Sequence, residues 1–184
     1  TSFKYLLLIV VLSLLPFISM LTTSLLPHTQ DGLVHLPRMA AYFQALTNGQ
    51  FPVRWAADLN FGYGMPLFIF MYPFPYLLAS LLLFLGVGLA VTFKLVVVLS
   101  FILSGIFMFL LGKELFKNEK IALMVTVFYQ FAPFRLVEAN VRGDIGEIYT
   151  YTFLPLILLG ILKKNFLLTS FASAILILSH NSVS

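Results

Sequence analysis

Five apolar runs, each near or above the length needed to cross a bilayer, constrain this chain more than any other feature. They cover about 4–24, 90–112, 120–137, 148–163 and 165–181. A straight helical span needs roughly 20 residues, within a range of about 17–25, so the last three are short. Inside hydrocarbon every backbone N–H and C=O must be bonded within its own segment, which favours helices. The chain is 60% hydrophobic and 10% charged, with mean hydropathy +1.01, whereas a soluble domain carries about 25% charged residues. The expected class is an all-α integral membrane protein with about five transmembrane helices.

Lys4 followed by Tyr5–Met20 has the outline of a secretory signal. Its apolar core exceeds the usual length of about 7–15 residues, and no A-x-A-like site follows, so a retained helix is expected. A sixth apolar run, Tyr76–Val87, follows Pro73-Phe-Pro75; at 12 residues it reads as an interfacial helix rather than a crossing. Residue 1 is Thr, and Ser179-His-Asn-Ser-Val-Ser184 arrives as an apolar run ends. The chain reads as one membrane domain, residues 1–184, belonging to the N-terminal part of a longer multispan protein.

Charge fixes the expected sidedness. With a cytoplasmic N-terminus and five crossings, Lys4, Lys113, Lys117, Lys120, Lys163 and Lys164 fall inside, as the positive-inside tendency requires. Arg38, Arg54, Arg135 and Arg142 fall outside. Because the basic residues sit between apolar runs, the net charge of +4 is not a nucleic-acid signal. The absence of Cys excludes disulfides and thiolate metal sites.

On this topology residues 25–89 form a large outer loop, and residues 28–64 are its polar island. Gly32–Asn48 has a helical pattern with Gly49 as a C-cap; Pro37 suits a first turn, so a regular helix is expected from near Leu36. Asp31, His35 and Arg38 are spaced i, i+4, i+7 and share a face if the segment is helical. Asp31 can serve as a general base, hold a divalent cation such as Mg or Mn, or cap the helix. A second outer group, Glu138-Ala-Asn-Val-Arg142-Gly-Asp144-Ile-Gly-Glu147, offers carboxylates and one Arg. Its Asp144 or Glu147 is expected to lie within roughly 10 Å of Asp31, a gap that a hydrated metal or substrate oxygen could bridge. Asp31 and Glu147 are the metal candidates. His180 ends the last run as a further candidate ligand-binding residue. His28, His35 and His180 lack the spacing of a zinc motif. Arg54-Trp55, with Asn60-Phe-Gly-Tyr-Gly64, offers a cation and aromatic faces for a sugar, or an interfacial anchor.

The order of these motifs resembles a known family. A span is followed by Asp31-x-x-x-His35-x-x-Arg38, by "NGQFPVRWAADLNFGYGMPLF" and by "YPFPYLL". Over nearly its whole length the chain looks like the multispan family called the 6-pyruvoyl-tetrahydropterin synthase-related membrane domain. More broadly it is similar to the GT-C superfamily of polyprenyl-linked-sugar glycosyltransferases. The resemblance implies a transferase of a prokaryotic cell envelope, set in the cytoplasmic membrane with its site facing outward. It implies a polyprenyl-phosphate sugar donor that reaches the site from the lipid bilayer. Asp31 matches the acidic position after the first span of GT-C enzymes, and Asp144 and Glu147 are candidates for the second acid. Many of those enzymes carry two adjacent acids in the first loop, whereas here Gly32 follows Asp31. His35, Arg38, Arg54, Trp55, Arg142 and His180 would then contact substrate. A transporter or lipid-handling scaffold is the alternative, and would favour ionisable groups near the membrane midplane.

Overall fold

In the computed structural model, residues 2–23 and 29–180 are described; His28 and Asn181 lie outside them. Ten α-helices are described: α1 (Ser2–Leu14), α2 (Ile18–Thr22), α3 (Gly32–Thr47), α4 (Leu67–Phe70), α5 (Phe74–Phe84), α6 (Leu89–Phe116), α7 (Glu119–Gln130), α8 (Pro133–Val137), α9 (Ile145–Leu162) and α10 (Phe166–Ser179). Helix α8 continues through a wider turn, Glu138–Arg142.

Local chemistry explains the breaks. A 3₁₀ turn at Leu15–Phe17, carrying Pro16, divides α1 from α2, since proline removes a helical N–H. Pro133 opens α8 and the chain bends by 51° between Glu119–Gln130 and Pro133–Arg142. Pro73 and Pro75 set the start of α5, close to the expected site. Helix α3 begins at Gly32 and contains Pro37, so the expected start near Leu36 is corrected. The start is set by Thr29, whose hydroxyl oxygen accepts the Gly32 N–H at 3.1 Å.

Three described helical stretches are long and apolar enough to cross a membrane: Phe3–Thr22, Leu89–Phe116 and Ile145–Leu162. The bent pair makes a fourth if it is one span, and α5 and α10 are apolar but shorter. The architecture is therefore all-helical and suggests a multi-pass membrane protein. Helix α6 is the centre post: α1, α7 and α9 pack on it, and α10 packs on α9. Phe17 meets Phe101 edge to face, with ring centroids 4.7 Å apart. Gly112 lets α6 and α7 approach closely, because a Cβ there would sit 3.1 Å from Ala122 Cα; small residues serve helix contacts of this kind. Phe3, Phe128, Phe166, Leu167 and Phe171 are exposed, as side chains facing lipid would be.

Two cations lie inside the bundle. Lys94 is buried and donates to the Thr23 carbonyl at 2.6 Å. Arg135, grouped by sequence with the outer arginines, is buried at the α7–α8 bend. It donates to Ser104 Oγ at 2.8 Å and stacks over Phe101 and Tyr129.

Candidate functional site

The two polar loops meet at one end of the bundle through their backbones. Gln30 N donates to Val141 O at 2.9 Å, and Asp31 N donates to Arg142 O at 2.7 Å. Because Thr29 caps α3, the Asp31 side chain makes no cap bond. Its carboxylate instead lies 3.4 Å from Arg142 Nε. Gly143 permits this approach: its φ is +76°, and a Cβ there would fall 2.3 Å from Thr29 Oγ1. The carboxylate that does cap a helix is Asp144, which accepts from the N–H groups of Gly146 and Glu147 at 2.9 and 3.3 Å.

Arg142 is the hub of the acidic residues. Its Nη1 lies 3.1 Å from Glu138 and 2.7 Å from Glu147, and its Nη2 lies 3.9 Å from Asp144. Tyr151 donates to the other Glu147 oxygen at 3.1 Å. Four carboxylates thus share one guanidinium, whose planar fork can meet several partners at once.

On the near side of this hub lies a cavity of about 470 Å³, lined by Asp31, His35, Arg38, Phe70, Tyr72, Asp144 and His180, with Val34 and Met71. Its floor is a polar group centred on Asp144. Tyr72 donates to Asp144 Oδ1 at 2.9 Å. His180 Nε2 lies 3.5 Å from Asp144 Oδ2, and His35 Nε2 lies 3.9 Å from Oδ1. The other His35 nitrogen is 2.9 Å from the Tyr76 hydroxyl, which the Arg38 guanidinium also reaches.

Burial sets the charges here. It pushes His35 down to about 4, against the pull of Asp144, so the imidazole is neutral at neutral pH. Burial also pushes the Asp144 carboxyl up, but the Tyr72 hydrogen bond, His35, the Glu147 amide and His180 together hold it below the usual carboxylate range. Burial and the neighbouring Asp144 drive the Tyr72 hydroxyl far up, so Tyr72 is a donor, not a base.

Of the residues singled out by sequence, Asp31, His35, Arg38, Asp144 and His180 line this cavity. Arg142 and Glu147 sit behind it as the ion-paired wall. Arg54 and Trp55 line two other grooves. Glu138 was read only as one carboxylate of the second outer group and Tyr72 only as the end of the aromatic loop; Tyr76 was given no role. The signal for the tyrosines was their placement around Pro73 and Pro75, which aims both rings from a fixed helix start. Asp31 and Glu147, the pair offered to Mg or Mn, each face Arg142. Among the described residues no group of three or more His, Asp or Glu is set to hold a metal ion.

Comparison of the chain with protein-family models, with curated proteins and with solved structures gives no match.

Proposed function

We propose that the chain belongs to a GT-C-type membrane glycosyltransferase that uses a polyprenyl-phosphate-linked sugar on the extracytoplasmic face. The observation that carries this reading is the delivery of Asp31 and Asp144, from loops more than a hundred residues apart, to one cavity that also contains Arg38. In this reading the N-terminus is cytoplasmic, the bent pair is one span, and α10 is the fifth crossing. Support for that fifth crossing comes from His180. It lies 3.5 Å from Asp144 at the start of α9, so α10 returns across the depth that α9 traverses.

Asp31 is the base in this scheme. Its side chain is 42% exposed, while Asp144 is tied to Tyr72, His180 and two amides. An acceptor hydroxyl oxygen attacks the anomeric carbon of the bound sugar. The bond from that carbon to the phosphate oxygen breaks, and polyprenyl phosphate leaves with the electron pair. Asp31 takes the hydroxyl proton. Arg38, which lines the cavity, offsets the phosphate charge, because Arg142 is already engaged by carboxylates. No step uses a metal.

The test is sugar transfer from a polyprenyl-phosphate donor by the full-length protein. Asp31→Asn keeps the volume and disturbs no cap bond, so it folds with an unchanged circular dichroism spectrum. Loss of a general base costs about 10²–10⁴-fold in rate. Transfer at the wild-type rate would remove Asp31 from the mechanism.

One observation favours the transporter or scaffold reading: Arg135 is buried at a break in a span, bonded to Ser104 near the middle of α6. Broken helices with charges at mid-depth occur in transporters. The enclosure of this guanidinium by Phe101, Tyr129 and Tyr151 fits a staple across the break better than a substrate site.

A further inference from the structure

We propose that the groove beside Arg54 is a resident-lipid site, in which the guanidinium holds the phosphate of a bilayer phospholipid. The proposal rests on the membrane placement of the chain and not on the transfer reaction. It concerns a region separate from the Asp31 cavity.

The groove has a volume of about 320 Å³ and is walled by Tyr42, Pro52, Val53, Phe68 and Ile69, with Arg54 at its rim. The fold fixes Arg54 by its backbone. Gln50 Oε1 accepts from the N–H groups of Arg54 and Trp55, and Phe68 N donates to the Arg54 carbonyl at 3.2 Å. The next residue is clamped as well. Trp55 lies against Gly64, where a Cβ would come within 2.5 Å of the indole nitrogen. The position is thus built, yet the exposed guanidinium has no partner among the described residues. The three other arginines are engaged: Arg38 with Tyr76, Arg135 with Ser104, and Arg142 with carboxylates.

The surroundings point to the ligand class. Phe51 is 77% exposed and Phe61 99% exposed, and Trp55, Tyr63 and Ile69 from the same stretch of chain are exposed as well. Aromatic rings with a cation are the composition of the headgroup level of a membrane, and the planar fork of Arg matches two phosphate oxygens. The walls decide between a lipid and a free anion. A free phosphate keeps its water and gains nothing from Tyr42, Val53 or Phe68. A phospholipid sets its glycerol and first methylene groups against them, and burial of apolar surface then adds to the phosphate contact.

Trp55 is the sole tryptophan of the chain, so its fluorescence reports on this loop alone. The full chain, purified in detergent and stripped of lipid, is titrated with dibrominated phosphatidylglycerol, whose bromines quench indole. Wild type is expected to show saturable quenching. Arg54→Gln is expected to need roughly ten times more lipid, the loss of one charge-assisted contact, with an unchanged circular dichroism spectrum. Arg54→Lys keeps the charge and recovers part of the affinity. Dibrominated diacylglycerol, which lacks the phosphate, binds wild type as weakly as phosphatidylglycerol binds the Gln variant, and millimolar inorganic phosphate leaves the quenching curve in place. Superimposable curves for wild type and Arg54→Gln would reduce the site to aromatic anchoring and overturn the proposal. So would equal affinity for diacylglycerol, displacement of the lipid by inorganic phosphate, or no recovery with Lys.

Discussion

Asp31 and Arg142 are joined twice: the Asp31 amide donates to the Arg142 carbonyl at 2.7 Å, and the Asp31 carboxylate lies 3.4 Å from Arg142 Nε. The double link sets the register between the two loops. It also places the most exposed carboxylate of the group beside the cation that neutralises the buried ones.

Arg142→Ala should therefore destabilise the protein by more than the loss of a surface ion pair. Glu138 and Glu147 are nearly buried, at 5% and 12% side-chain exposure, and would face each other without a cation. Breaking a buried pair costs about 3–5 kcal/mol; since the arginine is itself half-exposed, about 2 kcal/mol is expected. Thermal unfolding in detergent measures it. A melting curve like that of wild type would show that the backbone bonds alone hold the loops together.

Gly146→Ala should disable the cavity without touching a charged residue. A Cβ at Gly146 would lie 2.3 Å from Tyr72 Cζ and 2.7 Å from the Ser179 carbonyl. Tyr72 would have to leave Asp144, and α10 would have to shift. Overpacking of this kind costs about 1–3 kcal/mol, and transfer activity should fall with it. The check is the unfolding midpoint together with the transfer rate of the purified variant. Normal values for both would mean that the tyrosine contact is dispensable.

Acid should destabilise the site through His35. Its unfolded value is about 6.5 and burial lowers the folded value to about 4, so between these the unfolded chain binds more protons. The stability is fully present above about 6.5 and is lost as pH falls towards 4. The total is about 3 kcal/mol, from 2.5 units at 1.36 kcal/mol each. Asp144 acts in the same direction, because a carboxyl held below its usual range loses its contribution as pH falls through the folded value. His35→Gln, which takes no proton in this window, should flatten stability between pH 6.5 and 4. An unchanged slope in that variant would assign the acid sensitivity to another group.

What was legible in the sequence was what local pattern encodes. Hydropathy located α6 and α9, the two prolines located the start of α5, and the i, i+4, i+7 spacing correctly placed Asp31, His35 and Arg38 on one cavity-facing side. The roles of the two aspartates were not legible. Asp31 precedes a helix and reads as its cap, but Thr29 takes that bond and Asp144 caps α9 instead. Both choices depend on the meeting of residues 29–31 with 141–143, more than a hundred residues apart. The burial of Arg135 was not legible for a related reason. A charged residue near the end of an apolar run reads as facing the interface, whereas Pro133 bends the chain and turns that charge inward against rings from α6, α7 and α9.

The sidedness can be tested directly, since the chain contains no native cysteine. Single cysteines at residues 48, 118, 140 and 164 all fall at exposed positions. Under the five-crossing arrangement, a membrane-impermeant maleimide added from outside should label 48 and 140 and spare 118 and 164 until the membrane is opened. The reasoning is geometric as well as electrostatic. Helix α9 runs from the cavity to Lys163, and α10 returns to place His180 beside Asp144, so residue 164 must lie on the face opposite the cavity. Residue 118 joins α6 to α7 among Lys113, Lys117 and Lys120, which favour the cytoplasm. Labelling at 118 from outside would sink the five-crossing arrangement. With 118 and 140 both labelled, the bent pair Glu119–Gln130 and Pro133–Arg142 would be a re-entrant loop, while the Asp31 cavity, bonded to residues 141 and 142, would stay on the outer face.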